Sequence, residues 1–476
     1  MVNSEVLPAE NEGKGCAWLM LGATPTNGKR NKAPKMTPTQ MIALGFAVII
    51  LLGTLLLLLP VSSRDGQSCG IMTALFTATS ASCVTGLVLV DTWTQWSGFG
   101  QGVLLMLIEL GGLGFMSAAS LVIFLLRKKV GLRQRMLMAQ ALSMNEISGV
   151  VRLQKWVLFG SLSIQAVGAL VLFVRFLPRY GLAKSAWWGV FHAVSAFCNA
   201  GFDIVGSELP GGSMIFFQDD PVVLITLMVL IVLGGLGFFV WQELAQLKKL
   251  RNLSVYSRLV LITTACLILG GAGLIGLLEW NNPGTLGAMP TGQKILNMFF
   301  QSVTLRTAGF ASFDQALLTP AGKGVSMFLM LIGGSSGSTA GGIKTVTFLV
   351  LLLFVITRAR GGSTVQVFKR SVSRDKVMDA MTITAIAIML ALVGAVIICA
   401  LCPVSFADGL YETVSALATV GLSAGVTPQL PLPAQLLIVL YMYFGRVGVL
   451  TLSLGFLMAD NARERVHYAD TNLLIG

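Results

Sequence analysis

Four short segments of this sequence end in a glycine that follows small or polar residues. They read LFTATSASCVTGLV (75–88), VFHAVSAFCNAGFD (190–203), FFQSVTLRTAGFAS (299–312) and LYETVSALATVGLS (410–423). A dehydrated monovalent cation needs several close oxygens without a fixed negative charge, and backbone carbonyls beside a glycine supply them. We therefore predict that four backbone loops bind a cation through Val84, Thr85, Gly86, Asn199, Ala200, Gly201, Thr307, Ala308, Gly309, Thr419, Val420 and Gly421.

The position of these four glycines in the chain indicates an internal repeat. Gly86, Gly201, Gly309 and Gly421 follow one another at nearly equal spacing, each at the end of a segment too short to cross a bilayer. Such segments fit re-entrant half-helices, whose irregular ends are tolerated at membrane depth only around a wet cavity or inside protein. The alternative is that the glycines only allow close helix packing. It does not explain four matched positions.

The composition requires a membrane around these segments. The chain has 476 residues, of which 55% are hydrophobic and 11% charged, so its apolar surface exceeds what one soluble core buries. The predicted fold is an all-α polytopic membrane protein with four tandem repeats of span, re-entrant pore helix and span around one axial pore. The eight predicted spans are 41–59, 102–126, 156–177, 222–244, 259–278, 325–356, 378–401 and 436–458.

Charge gives the expected topology. The net charge is +12, and the basic residues concentrate in alternate junctions, which the positive-inside rule assigns to the cytoplasm together with both termini. This pattern explains the basic character without nucleic acid, and no signal peptide is recognised at the N-terminus. The predicted domains are an N-terminal segment (1–37), repeat 1 (38–127), a basic linker (128–155), repeat 2 (156–247), repeat 3 (248–357), a basic linker (358–376), repeat 4 (377–459) and a C-terminal tail (460–476).

The sixth span is interrupted by IGGSSGSTAGGIK at 332–344. Each glycine there costs a helix about 1 kcal/mol relative to alanine, so we predict an intramembrane loop beneath the four cation-binding loops. Its small residues could block a pore in one arrangement and clear it in another, whereas the alternative is a passive kink. The predicted gating residues in this loop are Gly333, Gly334, Ser335, Ser336, Gly337, Ser338, Thr339, Ala340, Gly341, Gly342 and Lys344.

Two arginines are expected at membrane depth, where a charge usually faces the bundle interior or water. For Arg446 in the last span, the residues alone suggest a buried ion pair with Glu109. Arg306 precedes the third loop, and we predict that it braces this loop from behind with Glu412 as its partner.

The remaining residues argue against an enzyme. The chain has two histidines and seven scattered cysteines, so we expect no transition-metal site, no disulfide framework and no organic cofactor. His192 is predicted to be a packing residue. No paired carboxylates or nucleophile–base pair falls at membrane depth. A coupled secondary transporter for a small solute remains an alternative, since such folds also use repeats and broken helices.

Over residues 38–476 the chain resembles the Trk/Ktr/HKT superfamily of potassium transporters, and within it the bacterial KtrB branch. The matching stretches are TSASCVTGL, SAFCNAGF, RTAGF, SALATVGLSAG, GGLGF, GGSSGSTAGGIK and GRVG. In this superfamily a serine at the first filter position tends to mark sodium permeability, and this chain has Gly86 there.

The resemblance implies potassium as the transported ion and a gating role for the intramembrane loop. It also implies that Arg446 is a pore-facing barrier, as an alternative to the ion pair with Glu109, which adds Arg446 to the predicted gating residues. It also implies a homodimer in the bacterial cell membrane that is controlled by a cytoplasmic KtrA-type ring that binds nucleotide. Whether sodium regulates uptake stays open.

Overall fold

The computed structural model describes residues 38–114, 150–246 and 253–448. This part of the chain is helical except for loops and one small hairpin, in which β1 (Gln366–Val367) pairs antiparallel with β2 (Arg370–Ser371). The predicted all-α class is therefore confirmed. The predicted N-terminal segment, most of the first basic linker and the C-terminal tail lie outside the described residues.

The helices recur in a similar order along the chain: a long helix, a short helix that ends a few residues before one of the four glycines, and a further helix. The first quarter contains α1 (Pro38–Leu57), α2 (Ile71–Ser82), α3 (Thr92–Gln95) and α4 (Gly98–Leu113), and the second contains α5 (Val150–Phe197), α6 (Pro221–Leu236) and α7 (Phe238–Gln246). The third contains α8 (Val255–Glu279), α9 (Thr291–Thr304), α10 (Pro320–Leu331) and α11 (Thr345–Ala359), and the fourth contains α12 (Arg374–Leu401), α13 (Phe406–Leu417) and α14 (Leu432–Val447).

Four described helices are long and apolar enough to cross a membrane: α1, α5, α8 and α12. In α5 the predicted third span and second half-helix form one helix that is broken at Gly181, where φ is 71°. The predicted span at 222–244 is bent, because α6 and α7 meet at an angle of 98°. Gly237 makes this bend with φ of 89°, a conformation open mainly to glycine. The count of eight spans remains a prediction.

Local sequence signals explain where several helices begin. Ser97, Asp220 and Thr319 each accept a hydrogen bond from a backbone N–H in the first turn of α4, α6 and α10. These side chains satisfy amides that the helix itself leaves without partners. Pro221 and Pro320 follow the last two caps, at the position where a missing N–H costs nothing.

The molecule buries the ends of the short helices and leaves the long helices facing outward. The C-terminal parts of α2, α9, α13 and α5 are enclosed. Large apolar side chains such as Leu51, Val167, Leu277 and Met389 are exposed on the long helices. Apolar surface on this scale is expected to face lipid rather than water. The architecture therefore places four enclosed segment ends in the interior of the bundle.

Candidate cation site and intramembrane loop

Gly86, Gly201, Gly309 and Gly421 meet in the interior and form what we call the glycine ring. A methyl group built on each glycine would lie 2.9–3.3 Å from the Cα atom of the next, in chain order and back from Gly421 to Gly86. It would also meet the carbonyl oxygen of the residue before that neighbouring glycine. Four loops that are distant in sequence thus surround one axis and present backbone carbonyls to one another.

The four loops share a strained backbone. All four ring glycines have positive φ, and so do the residues two positions earlier: Val84 (57°), Asn199 (59°), Thr307 (68°) and Thr419 (52°). A left-handed conformation is an outlier for β-branched residues and costs about 1–3 kcal/mol each. The sequence held almost no sign of this strain, because only asparagine favours that conformation. Its fourfold repetition points to a functional constraint on the carbonyls.

One hydroxyl group holds each loop, and sequence reasoning missed all four. The Oγ atoms of Ser80 and Ser415 each accept a hydrogen bond from the N–H of the ring glycine, at 3.0 Å. Ser195 Oγ and Thr304 Oγ1 donate to the carbonyl oxygen of the phenylalanine after the glycine, at 2.6 and 2.7 Å. The available signal was a serine or threonine five or six residues before every ring glycine.

A second set of glycines serves close packing. A Cβ on Gly111, Gly234 or Gly445 would overlap the carbonyl oxygen at the end of the short helix in the same quarter. In the third quarter, Gly333 instead faces the carbonyl oxygen of Gly341, within the intramembrane loop. Close helix packing, the alternative role for glycines in the sequence analysis, therefore describes this second set. The ring glycines differ from it in having positive φ.

A cavity of about 490 Å³ opens on one side of the glycine ring. All four ring glycines line it, together with the loops that follow them. The carboxyl-bearing residues in its wall are Asp91, Asp203 and Asp314, one from each of the first three quarters. Asp91 is engaged structurally, because its carboxylate accepts the N–H groups of Thr94 at 2.8 Å and Gly211 at 3.0 Å.

The intramembrane loop, residues 333–344, lies on the opposite side of the ring. A Cβ on Gly341 would overlap the Thr419 side chain, and one on Gly333 would meet Thr307. Both threonines precede their ring glycines, whereas the cavity contacts the glycines and the residues after them. The neck of the loop is closed by backbone hydrogen bonds, including Gly333 N–H to the Ile343 carbonyl at 2.9 Å.

Arg446 joins the intramembrane loop to the first quarter. Its guanidinium donates to the carbonyl oxygens of Thr339, Gly111 and Gly112, the last at 3.0 Å. The alternative ion pair with Glu109 is not formed. Glu109 accepts instead from Gln165 Nε2, at 3.0 Å for the shorter contact, and from Cys198 Sγ at 3.3 Å. Carbonyl groups of the intramembrane loop and of the end of α4 therefore hold this positive charge.

Arg306 braces the neck of the intramembrane loop. Its Nη2 donates to the Gly333 carbonyl and to Thr345 Oγ1, both at 3.4 Å. The predicted partner, Glu412, is wrong, because Glu412 accepts from Ser423 Oγ at 2.6 Å and from backbone amides after the fourth ring glycine. Glu412 contacts residues that follow the fourth ring glycine, whereas Arg306 contacts the intramembrane loop. The two side chains therefore do not meet.

Two further predicted residues have clear partners. Lys344 Nζ donates to the Ala340 carbonyl at 2.7 Å, so a carbonyl within the loop holds this charge. His192 is fully used in packing, since Nδ1 contacts the Trp188 carbonyl at 2.7 Å and Nε2 accepts the Ile204 N–H at 3.3 Å. Of the predicted residues, the structure thus gathers the four loops, the intramembrane loop, Arg446 and Arg306, and leaves Glu412 and His192 apart.

Comparison with known proteins identifies the family. Residues 18–465 match the family described as TrkH, cation transport protein. The chain is 38% identical over 453 residues to the potassium/sodium uptake protein NtpJ of Enterococcus hirae, covering 94% of this chain and 99% of that protein. It is 37% identical over 442 residues to the Ktr system potassium uptake protein B of Bacillus subtilis, covering 93% and 97%.

The fold has a solved relative. The crystal structure of the potassium transporter TrkH from Vibrio parahaemolyticus matches with a TM-score of 0.69 over 90% of this chain and 86% of that chain, at 17% sequence identity. These matches confirm a multi-pass membrane protein and a transporter rather than an enzyme. This chain belongs to the TrkH family of cation transport proteins.

Proposed function

We propose that this chain is the potassium-translocating membrane subunit of a Ktr/Trk-type uptake system. The observation that carries the proposal is the glycine ring, in which four matched loops bring carbonyl oxygens around one axis. Two relatives that match nearly the whole chain are named for potassium uptake, and one of them for sodium as well. Potassium is the transported ion in this proposal, and a role for sodium belongs to the test below.

Selection rests on backbone dipoles rather than fixed charge. Carbonyls of residues such as Thr85 and Ala200 replace the hydration shell of a potassium ion. The short helices end just before the ring, so their partially negative ends favour a cation there. The glycine ring and the two residues before each glycine contain no carboxylate, so an ion is not trapped by a full negative charge.

The intramembrane loop and Arg446 form the gate in this proposal. The loop lies directly beneath the ring, and the arginine links it to the end of α4. Opening then requires that the bond from Arg446 to the Thr339 carbonyl is broken or moves with the loop. A cytoplasmic KtrA-type ring that binds nucleotide would control this step, acting on a homodimer in the bacterial cell membrane with both termini cytoplasmic.

Within the part of the chain that the structure describes, the basic linker at 358–376 is our candidate docking site for this regulatory ring. It contains Arg360, Lys369 and Arg370, and all three are exposed. Reversing these charges should abolish co-purification with the regulatory subunit. Undiminished binding would favour contact with lipid headgroups instead.

The Gly86→Ser substitution tests the selectivity proposal. Gly86 has φ of 94°, and an added side chain would meet the Ala200 carbonyl, so serine should disturb two neighbouring loops. We expect the preference for rubidium over sodium in proteoliposome flux to fall by about tenfold, the effect of about 1.4 kcal/mol. Gly102→Ser is the matched control, because nothing lies within 4 Å of a Cβ there. Equal selectivity in both well-folded variants would refute the proposal.

A further inference from the structure

The tip of the intramembrane loop, residues 335–339, is bound to the second quarter of the chain. Its hydrogen bonds reach the three residues before Gly237 and the one after it, at the bend between α6 and α7. They are Ser335 N–H to the Gly235 carbonyl (3.0 Å), Thr339 N–H to the Gly234 carbonyl (3.2 Å), Phe238 N–H to the Gly337 carbonyl (2.9 Å) and Ser335 Oγ to the Leu236 carbonyl.

These bonds make the bend and the loop depend on each other. A helix leaves its last carbonyls without internal partners, and at membrane depth no lipid group can satisfy them. The loop supplies those partners for Gly234, Gly235 and Leu236. If the loop moved away alone, these three carbonyls would lose their donors. Movement of the bend together with the loop avoids this loss.

A side chain of α8 also reaches the loop tip. Tyr256, in the first turn of α8, donates its hydroxyl hydrogen to the Ser336 carbonyl at 3.0 Å. The same turn is tied to α7, because the Glu243 carboxylate accepts the Ser254 N–H at 3.2 Å and the Ser254 hydroxyl at 3.0 Å. Helix α7 and the first turn of α8 therefore form one connected corner, which we call the α7–α8 corner, with two contacts on the loop tip.

We propose that the α7–α8 corner is the lever of the gate and that Tyr256 is the positioning residue that couples it to the loop tip. This inference rests on the gating role given to the loop in the proposed function. Displacement of the corner would carry the bend and the loop tip off the axis as one unit, with the backbone bonds at Gly234 and Gly235 preserved. The contacts that break would then be those of Thr339, whose carbonyl accepts from Arg446 and whose Oγ1 donates to the Phe197 carbonyl at 3.1 Å.

The Tyr256→Phe substitution tests the lever in the full-length protein without any partner. It removes one hydrogen bond and little volume, so the loop tip should leave its blocking position more often. We expect basal rubidium flux in proteoliposomes to rise by about threefold to tenfold, the range for one lost hydrogen bond, with rubidium-over-sodium selectivity unchanged. Tyr441→Phe is the matched control, because that hydroxyl donates to the Leu390 carbonyl at 2.7 Å, away from the loop.

Combining Tyr256→Phe with deletion of residues 335–339 separates this inference from the gate itself. In the shortened protein, Tyr256→Phe should have no further effect, because its partner Ser336 is gone. If shortening raises flux but Tyr256→Phe behaves like Tyr441→Phe, the lever is wrong and the gate stands. If shortening itself leaves flux unchanged, the gating proposal fails. An equal rise from Tyr256→Phe in both backgrounds would show a general structural effect and overturn the lever.

Discussion

The glycine ring and the intramembrane loop lie next to each other but are held in different ways. Each ring loop is fixed from within its own short segment, as when Ser80 accepts the Gly86 N–H. The neck of the intramembrane loop is also closed by its own backbone bonds, but its tip is fixed by other quarters, through Arg446 on α14 and Gly235 on α6. Local bonds keep a geometry constant while the rest of the molecule moves, whereas long-range bonds transmit movement. Under the proposed function, we therefore expect that selection and gating can be altered separately.

The third quarter differs from the other three where the loop enters. In the others, a glycine of the helix that follows the short helix packs on the end of that short helix, but Gly333 packs on Gly341. The loop thus occupies the place where span and short helix meet elsewhere. The corresponding hydroxyl, Thr304, also lies one residue closer to its ring glycine than Ser80 and Ser415 do. Under the proposed function, this local interruption of one quarter places the gate beside a ring to which all four quarters contribute alike.

Shortening the intramembrane loop should produce the largest effect. Deletion of residues 335–339 removes the loop tip that blocks the pore in our proposal. It also removes the Thr339 carbonyl that accepts from Arg446, so basal rubidium flux should rise by more than about tenfold. Selectivity for rubidium over sodium should stay near its original value, since the ring loops keep their own bonds. Shortening the exposed β1–β2 hairpin at Phe368 and Lys369 is the control. Loss of selectivity together with the rise in flux would break the comparison.

Substitution of Arg446 should have an intermediate effect and divide charge from contact. Arg446→Gln removes the charge and cannot reach three carbonyls, so basal flux should rise by about threefold to tenfold. Arg446→Lys keeps the charge but loses the forked set of donors. Flux in Arg446→Lys near that of Arg446→Gln would mean that the link to Thr339 closes the gate. Flux near the original value would assign closure to charge repulsion in a poorly screened pore.

Removing one ring hydroxyl should give the smallest effect. Ser80→Ala leaves the Gly86 N–H without its acceptor, at a cost of about 1 kcal/mol, so selectivity for rubidium over sodium should fall by a few fold. Basal flux in the closed arrangement should not rise. Ser163→Ala is the control, because that hydroxyl donates to the Phe159 carbonyl in its own exposed helix. A rise in basal flux in Ser80→Ala alone would mean that ring and gate are coupled after all.

The sequence by itself determined the class of protein, the four segments that end in the ring glycines and the interruption at 333–344. These features follow from composition, segment length and helix propensity, which are properties of a stretch of sequence and do not depend on its tertiary contacts. Repeated spacing then made a shared axis the natural expectation for Gly86, Gly201, Gly309 and Gly421.

Only the tertiary structure decided which residues contact one another. Arg306 contacts the Gly333 carbonyl instead of Glu412, Arg446 contacts carbonyls instead of Glu109, and the span at 222–244 bends at Gly237. The physical reason is that a buried arginine can donate to any well-placed carbonyl, and a carbonyl at a helix end can accept from any well-placed donor. Many of these partners are backbone groups, which every residue carries, so the sequence does not mark them. Which quarter supplies that partner depends on how the helices pack.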